Sequence, residues 1–415
     1  MRDMILSAEE LQKHAMEIAR NHPVGKASKS LHWLVRRLNE NYAFIINVYK
    51  ALNIDVKRSF PTAPAAEWLL DNFYIIEEQV KLIRRNLSKG GYSRLPILTE
   101  GYLKGHPRVY AIALEMVAHT NGSIDEKTIT TFIQAYQSQT LLSMGELWAL
   151  PLMLRISLVE SIRNECEKVR NSRIEWHRAE EFMSRIISLG GDEQQIDAIL
   201  GRYFDERNEL TPSFAEHLIQ GLRKQGKGHS AVTALLDKRL ENGYYSIKKL
   251  TEAEHLMQAE MQVAISNSIT GLRLISDLDW SEIFELLSNT EQILRQDPNG
   301  IYGLMDFESR DFYRHEVERL ARAYRIPEIH VARVAVECAS ECEATAPQDH
   351  VGYYLVGKGR KTLIGVLEKA TGRYLGFSLA PFKRPKRLYT IMVFLLTVFL
   401  VSYFTYYALS HDNAA

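Results

Sequence analysis

The chain has almost no cysteine, no excess of charge and no apolar leader. Three of its 415 residues are cysteine, Cys166, Cys338 and Cys342. That is too few for a disulfide framework and fits a reducing compartment. Basic and acidic residues balance at 51 each, which argues against a nucleic-acid partner, because such proteins usually carry a basic excess. Residues 1–10 lack the hydrophobic core of a signal peptide. Short-period repeats and low-complexity tracts are also missing. So is any regular alternation of strand and helix, and without it a parallel sheet with a nucleotide site at its edge is not expected.

One long uncharged run is present. Residues 388–409 comprise 22 positions without a charge, preceded by Lys383, Arg384, Lys386 and Arg387. A spanning helix needs about 20 apolar residues, and flanking cations stay on the cytoplasmic side. The run predicts a C-terminal transmembrane helix, with the lipid bilayer as a partner. The bulk of the chain would be cytoplasmic and residues 410–415 a short exported tail.

The rest reads as helix after helix. Leu31, Leu34, Leu38, Tyr42, Ile45, Tyr49 and Leu52 step by three and four, and so do Leu69, Phe73, Ile76, Val80, Ile83 and Leu87. Leu154, Leu158, Ile162 and Cys166 mark a central helix, kinked or started at Pro151. Thr211-Pro212 opens a further helix, a long one covers about 250–275, and others follow at 280–295, 308–324 and 327–343. Only 351–379 reads as strand-like, with 351–356 and 373–378 pairing as a hairpin. The expected fold is all-α: a multi-helix cytoplasmic bundle, a small hairpin-like segment and one transmembrane helix. Its expected divisions are an extension (1–27), two helical regions (28–190 and 191–350), a hairpin-like and basic segment (351–387), the span (388–409) and the tail (410–415).

Several patterns fall short of a chemical motif. Gly352 to Gly359 approaches a phosphate loop, but Gly359 stands where the magnesium-holding hydroxyl belongs. His315-Glu316 opens like a zinc-protease helix and lacks the second histidine. Cys338 and Cys342 share a helical face with His330 upstream, and three ligands do not close a structural zinc site. Asp277-Leu278-Asp279 precedes Trp280 at a helix start, where acidic residues serve as caps. Glu67, Asp71 and Glu78 share one face. Such a stripe asks for cationic partners, and its sharper reading is a carboxylate pair for glycan chemistry. No metal or cofactor is assigned to the chain, and no catalytic residue.

A succession of stretches resembles the opening of cyclic β-1,2-glucan synthases. They are 66–78 (AEWLLDNFYIIEE), 105–110 (GHPRVY), 118–122 (AHTNG), 145–151 (GELWALP) with 153–155 (MLR), 267–273 (NSITGLR), 305–315 (MDFESRDFYRH) and 350–355 (HVGYYL), in order over roughly 28–410. The resemblance implies a large inner-membrane enzyme that polymerises glucose from UDP-glucose with a divalent metal. It also implies that the glycosyltransferase and phosphorylase-like domains lie beyond this region. The chain is then an N-terminal helical domain, a fragment that supports a reaction carried out elsewhere and is not catalytic alone. Its partners would be the remaining synthase domains, with β-1,2-glucan as a further candidate. The motif residues Glu67, Asp71, Arg108, Tyr110, His119, Glu146, Trp148, Arg155, Asp306, Arg310, Arg314 and His315 carry the resemblance. A structural role is expected of them, with the charged members in buried ion pairs. Two other readings stay open: a stand-alone single-span scaffold, and a helical glycan-acting enzyme using Glu67 and Asp71.

Overall fold

A computed structural model describes residues 4–25, 32–88, 92, 95–188, 193–206, 211–225, 247–341, 347–374 and 394–403. They form two compact units, Met1–Ser288 and Asn289–Ala415.

The first unit holds α1 (Ala8–Arg20), α2 (His32–Lys57), α3 (Pro64–Ser88), α4 (Arg108–His119), α5 (Glu126–Gln137), α6 (Met144–Ser188), α7 (Glu193–Glu206), α8 (Pro212–Gln225), α9 (Ile247–Asp277) and α10 (Trp280–Leu287). Local chemistry sets the helix starts. Ser7 and Glu10 form a capping box at α1, Asp125 caps α5, Thr211 accepts from the Phe214 amide at α8, and Asp279 caps α10. The Asp-x-Asp pair is thus placed at a helix cap. A two-residue antiparallel ribbon, β1 (Val24–Gly25) with β2 (Ile97–Leu98), was not legible in the sequence.

Helix α6 is the spine. Every residue from 152 to 160 is buried, which requires neighbours on all sides; α2, α3, α4, α8 and α9 all pack on it. Leu154, Leu158, Ile162 and Cys166 are fully buried. The helix begins at Met144 and runs through Pro151. A second cluster gathers Phe182 and Met183 of α6 with Phe214, Leu218 and Leu222 of α8.

The second unit holds α11 (Asn289–Leu294), α12 (Ile301–Leu304), α13 (Phe307–Tyr324), α14 (Glu328–Ser340), α15 (Val351–Leu355) and α16 (Arg360–Thr371). The expected hairpin is absent there. Residues 351–355 are helical because His350 Nδ1 accepts from the Gly352 amide at 2.8 Å and caps the turn. A five-residue apolar run has no periodicity to separate strand from buried helix. Residues 375–378, from the second supposed strand, lie outside the described residues.

The transmembrane helix is likewise corrected. Among the described residues no helix is long and apolar enough to cross a membrane. Of the uncharged run, residues 394–403 are described and form an exposed helix. Ten residues rise about 15 Å, half of a hydrocarbon layer about 30 Å thick. The described residues are therefore all-α but for the short ribbon, and no spanning helix is among them. Lys383, Arg384, Lys386, Arg387 and the rest of the run lie outside the described residues.

Glycine is required at one junction. Gly122 ends the turn after α4 with φ +74°, and a Cβ there would meet Ser268 Oγ of α9 at 2.4 Å and its amide nitrogen at 3.1 Å. Asn267 Nδ2 donates to the Asn121 carbonyl at 3.2 Å beside it. Gly122→Ala is expected to destabilise the first unit by more than about 1 kcal/mol. An unchanged denaturation midpoint would contradict this close approach.

Candidate functional site

The first unit carries a cleft open to solvent, about 350 Å³ with its open mouth included. Its floor is α6, through Val169, Ser172, Arg173 and Trp176. Gln258 of α9 closes one side. Its rim is the end of α2 and the connection to α3, which carries Phe60 and Pro61. The connection is tied down locally: Ser59 takes φ +54°, and the Phe60 amide donates to the Asp55 carbonyl at 2.9 Å.

Asp55 anchors the rim. Arg173 Nη2 donates to its Oδ1 at 2.9 Å, Arg173 Nε to its Oδ2, and His177 Nε2 lies 3.3 Å away. Burial raises the carboxyl pKa, but the hydrogen bonds and charge of Arg173, with His177, outweigh it and hold it below the ordinary range. An ionised, bidentately held Asp55 is an acceptor rather than a proton donor. Aromatic rings stack behind it: Phe60 on His177 at 4.2 Å and Trp176 on His217 at 4.9 Å.

A buried polar cluster adjoins the floor. Glu254 accepts from Ser213 Oγ at 2.7 Å, Gln258 Nε2 at 2.7 Å and Ser172 Oγ at 3.3 Å. Gln258 Nε2 also donates to Ser172 Oγ at 3.0 Å. The amide nitrogen of Gln258 is thus committed, while its Oε1 is buried without a partner among the described residues. Trp176 Nε1 is in the same condition. Two lining residues therefore offer one unmatched acceptor and one unmatched donor. Leaving such groups unpaired costs about 1–3 kcal/mol each, and a hydroxyl, both donor and acceptor, suits either. Phe60, Trp176 and Pro61 supply apolar faces beside these groups. Among the described residues neither serine contacts a histidine base.

The motif residues fall elsewhere and into three kinds of environment. Arg108 and Glu146 form a buried bidentate pair, Nε–Oε1 2.8 Å and Nη2–Oε2 2.7 Å, and Arg108 also donates to the Leu141 carbonyl at 3.0 Å. Tyr110 donates to Glu160 at 2.7 Å, and Arg37 pairs with the other oxygen; burial and that carboxylate push the Tyr110 hydroxyl pKa well up. In the second unit Glu291, wholly buried, gathers Arg314 at 2.9 Å, Arg295 at 2.9 Å, Arg310 at 3.6 Å and the Tyr302 hydroxyl at 2.7 Å.

Arg155 is buried but binds neutral acceptors: Gln79 Oε1 at 3.1 Å, the Ile275 carbonyl at 3.1 Å and Ser276 Oγ at 3.5 Å. No carboxylate contacts it among the described residues, which corrects the expected ion pair. Burial pulls its pKa down.

The remaining motif residues lie nearer the surface. Glu67, Asp71 and Glu78 are exposed on α3, so they form no buried pair. Asp306 caps α13 through the Ser309 amide at 2.7 Å. Trp148 stacks on Phe284 at 4.3 Å. His315 is exposed and donates to the Asp311 carbonyl at 2.9 Å. His119 meets the Met4 carbonyl at 3.1 Å. Cys338 is buried, and Cys342 lies outside the described residues.

The cleft residues Asp55, Trp176 and Gln258 were missed by sequence reasoning, as were Glu254 beside them and Glu291. They stand on unremarkable helical stretches, and only the fold brings them together.

No family model matches the chain. Over 335 residues, 79% of its length, it is 33% identical to the cyclic beta-(1,2)-glucan synthase NdvB of Rhizobium meliloti (strain 1021). The chain is a relative of that synthase family. It spans about 12% of the length of that protein.

The two kinds of buried arginine separate by mutation. Arg108→Ala leaves Glu146 buried and unmatched and is expected to cost about 3–5 kcal/mol. Arg155→Ala strands only neutral acceptors and is expected to cost about 1–3 kcal/mol. Urea denaturation of both variants measures the order; the reverse ranking would contradict this account of their partners.

Proposed function

We propose that the chain is a helical, non-catalytic module of a cyclic β-1,2-glucan synthase and that its cleft holds a stretch of glucan. Glucose would be polymerised from UDP-glucose, with a divalent metal, by synthase domains outside this chain. The observation that carries the reading is the pair of unmatched buried groups, Trp176 Nε1 and Gln258 Oε1, on residues lining an aromatic cleft. A glucan presents what they require, hydroxyls that both donate and accept, beside ring faces that pack on aromatic side chains. The kinship to a glucan synthase supports the choice of sugar.

Titration with linear and cyclic β-1,2-glucans, followed by calorimetry and tryptophan emission, tests the site. Saturable binding is expected, weakened by Trp176→Phe, which keeps the ring and removes the N–H, and by Gln258→Leu. No saturation at millimolar glucan, or equal binding by both variants, would overturn the reading. Incubation with UDP-glucose and magnesium is expected to give no glucan; incorporation of glucose would refute the non-catalytic part alone.

A further inference from the structure

A second cluster, independent of the cleft and of the glucan reading, joins two helices far apart in sequence. His14 projects from α1, and Glu115 and His119 sit one turn apart at the end of α4. His14 Nε2 lies 3.0 Å and His119 Nε2 3.4 Å from the same oxygen, Glu115 Oε2. The two imidazole rings are 4.4 Å apart, edge to face. One ligand atom from each residue lies within 4.8 Å of the others. The side chains keep 22%, 22% and 11% of their surface, so the site is sheltered yet reachable.

The far nitrogen of His119 is held by backbone. Its Nδ1 faces the Met4 carbonyl at 3.1 Å, and a carbonyl can only accept, so Nδ1 carries the hydrogen. In the neutral ring, Nε2 then presents a lone pair to a carboxylate oxygen. That arrangement is repulsive unless a cation or a second ring proton stands between them. A backbone carbonyl fixing the far nitrogen is the usual support of a metal-binding imidazole. The carboxylate is steadied as well: the Tyr102 hydroxyl lies 3.5 Å from Glu115 Oε1. His22 lies outside this group; its Nδ1 meets the Tyr136 hydroxyl at 3.1 Å.

The spacing fits a small ion. Zinc lies about 2.0–2.2 Å from nitrogen and oxygen ligands, so two tetrahedral ligands stand about 3.4 Å apart. The separations of 3.0 and 3.4 Å approach this. Two imidazoles and a carboxylate favour zinc-type transition ions over magnesium or calcium, which take oxygen ligands.

We propose that His14, Glu115 and His119 bind one divalent transition-metal ion of zinc type, with a fourth position left to water, and that the ion clips α1 to the end of α4. The clip would add to the backbone contact already made there, where the Leu6 amide donates to the His119 carbonyl at 3.0 Å.

The test uses the full chain stripped with chelator. One equivalent of Co²⁺ is expected to give the visible bands of a tetrahedral site, and Zn²⁺ to displace them. Zn²⁺ should raise the melting temperature by several degrees, reversibly with EDTA, since binding to the folded state adds to its stability. His14→Ala should abolish both responses. His14→Gln serves as a second variant should the first fail to fold. His255→Ala, at an exposed histidine on α9, should leave both unchanged. Absence of the bands and of the melting shift in the unmodified chain would overturn the proposal. Equal responses from a folded His14 variant would overturn it too and leave the cluster as a histidine–glutamate ion pair.

Discussion

A carboxylate withdrawn from water must receive all its hydrogen bonds from protein, and this requirement organises both units. Glu146 at the start of α6 is met by Arg108 across the helix junction and by its own cap residue, Ser143, at 2.9 Å. Glu254 on α9 is met by hydroxyls from α6 and α8. Glu291 is met by two arginines of α13 and by Arg295, the residue just after its own helix. Glu316 on α13 is met by Arg360 of α16 at 2.9 Å. Each acid forces helices remote in sequence into one register, because a shift of one turn would strand a buried charge at a cost of several kcal/mol. Apolar packing alone tolerates such shifts far better.

The stretches that resemble glucan synthases are the ones that interlock. The stretch 105–110 meets 145–151 through Arg108 and Glu146. The stretch 118–122 meets 267–273 through Gly122, Asn121 and Asn267. Arg273 donates to Asn72 and Tyr74 of the 66–78 stretch at 3.2 and 3.1 Å. In the second unit Tyr313 of 305–315 packs edge-on against His350 at 5.9 Å.

This explains what could be read in advance. The helices of α2, α3 and α6 were legible because a one-sided apolar stripe has a period, and the caps at Asp279 and Thr211 because their chemistry is local. Arg155 was marked by its stretch, but a sequence does not say whether a buried guanidinium finds a carboxylate or, as here, an amide and a carbonyl. Residues 351–355 were misread because aromatic and β-branched residues suit a strand and a short buried helix equally. The uncharged run at 388–409 satisfied a hydropathy rule, yet its described part makes only a short exposed helix. The cleft and the His14 cluster were invisible for a plainer reason: Asp55 stands 118 residues from Arg173 and His14 101 from Glu115, and only the fold brings them together.

Helix α6 runs 45 residues, about 68 Å at 1.5 Å per residue. Its first turn is fastened by Glu146, and Arg173 at the cleft floor comes 27 positions later, about 40 Å along the axis. On the proposed binding, the helix would serve as a ruler: a glucan held at Trp176 would lie at a set offset along the axis from the Arg108 end. Pro151 cannot donate to the Leu147 carbonyl, so bending of that ruler would concentrate near its fastened end and leave the distal measure nearly constant.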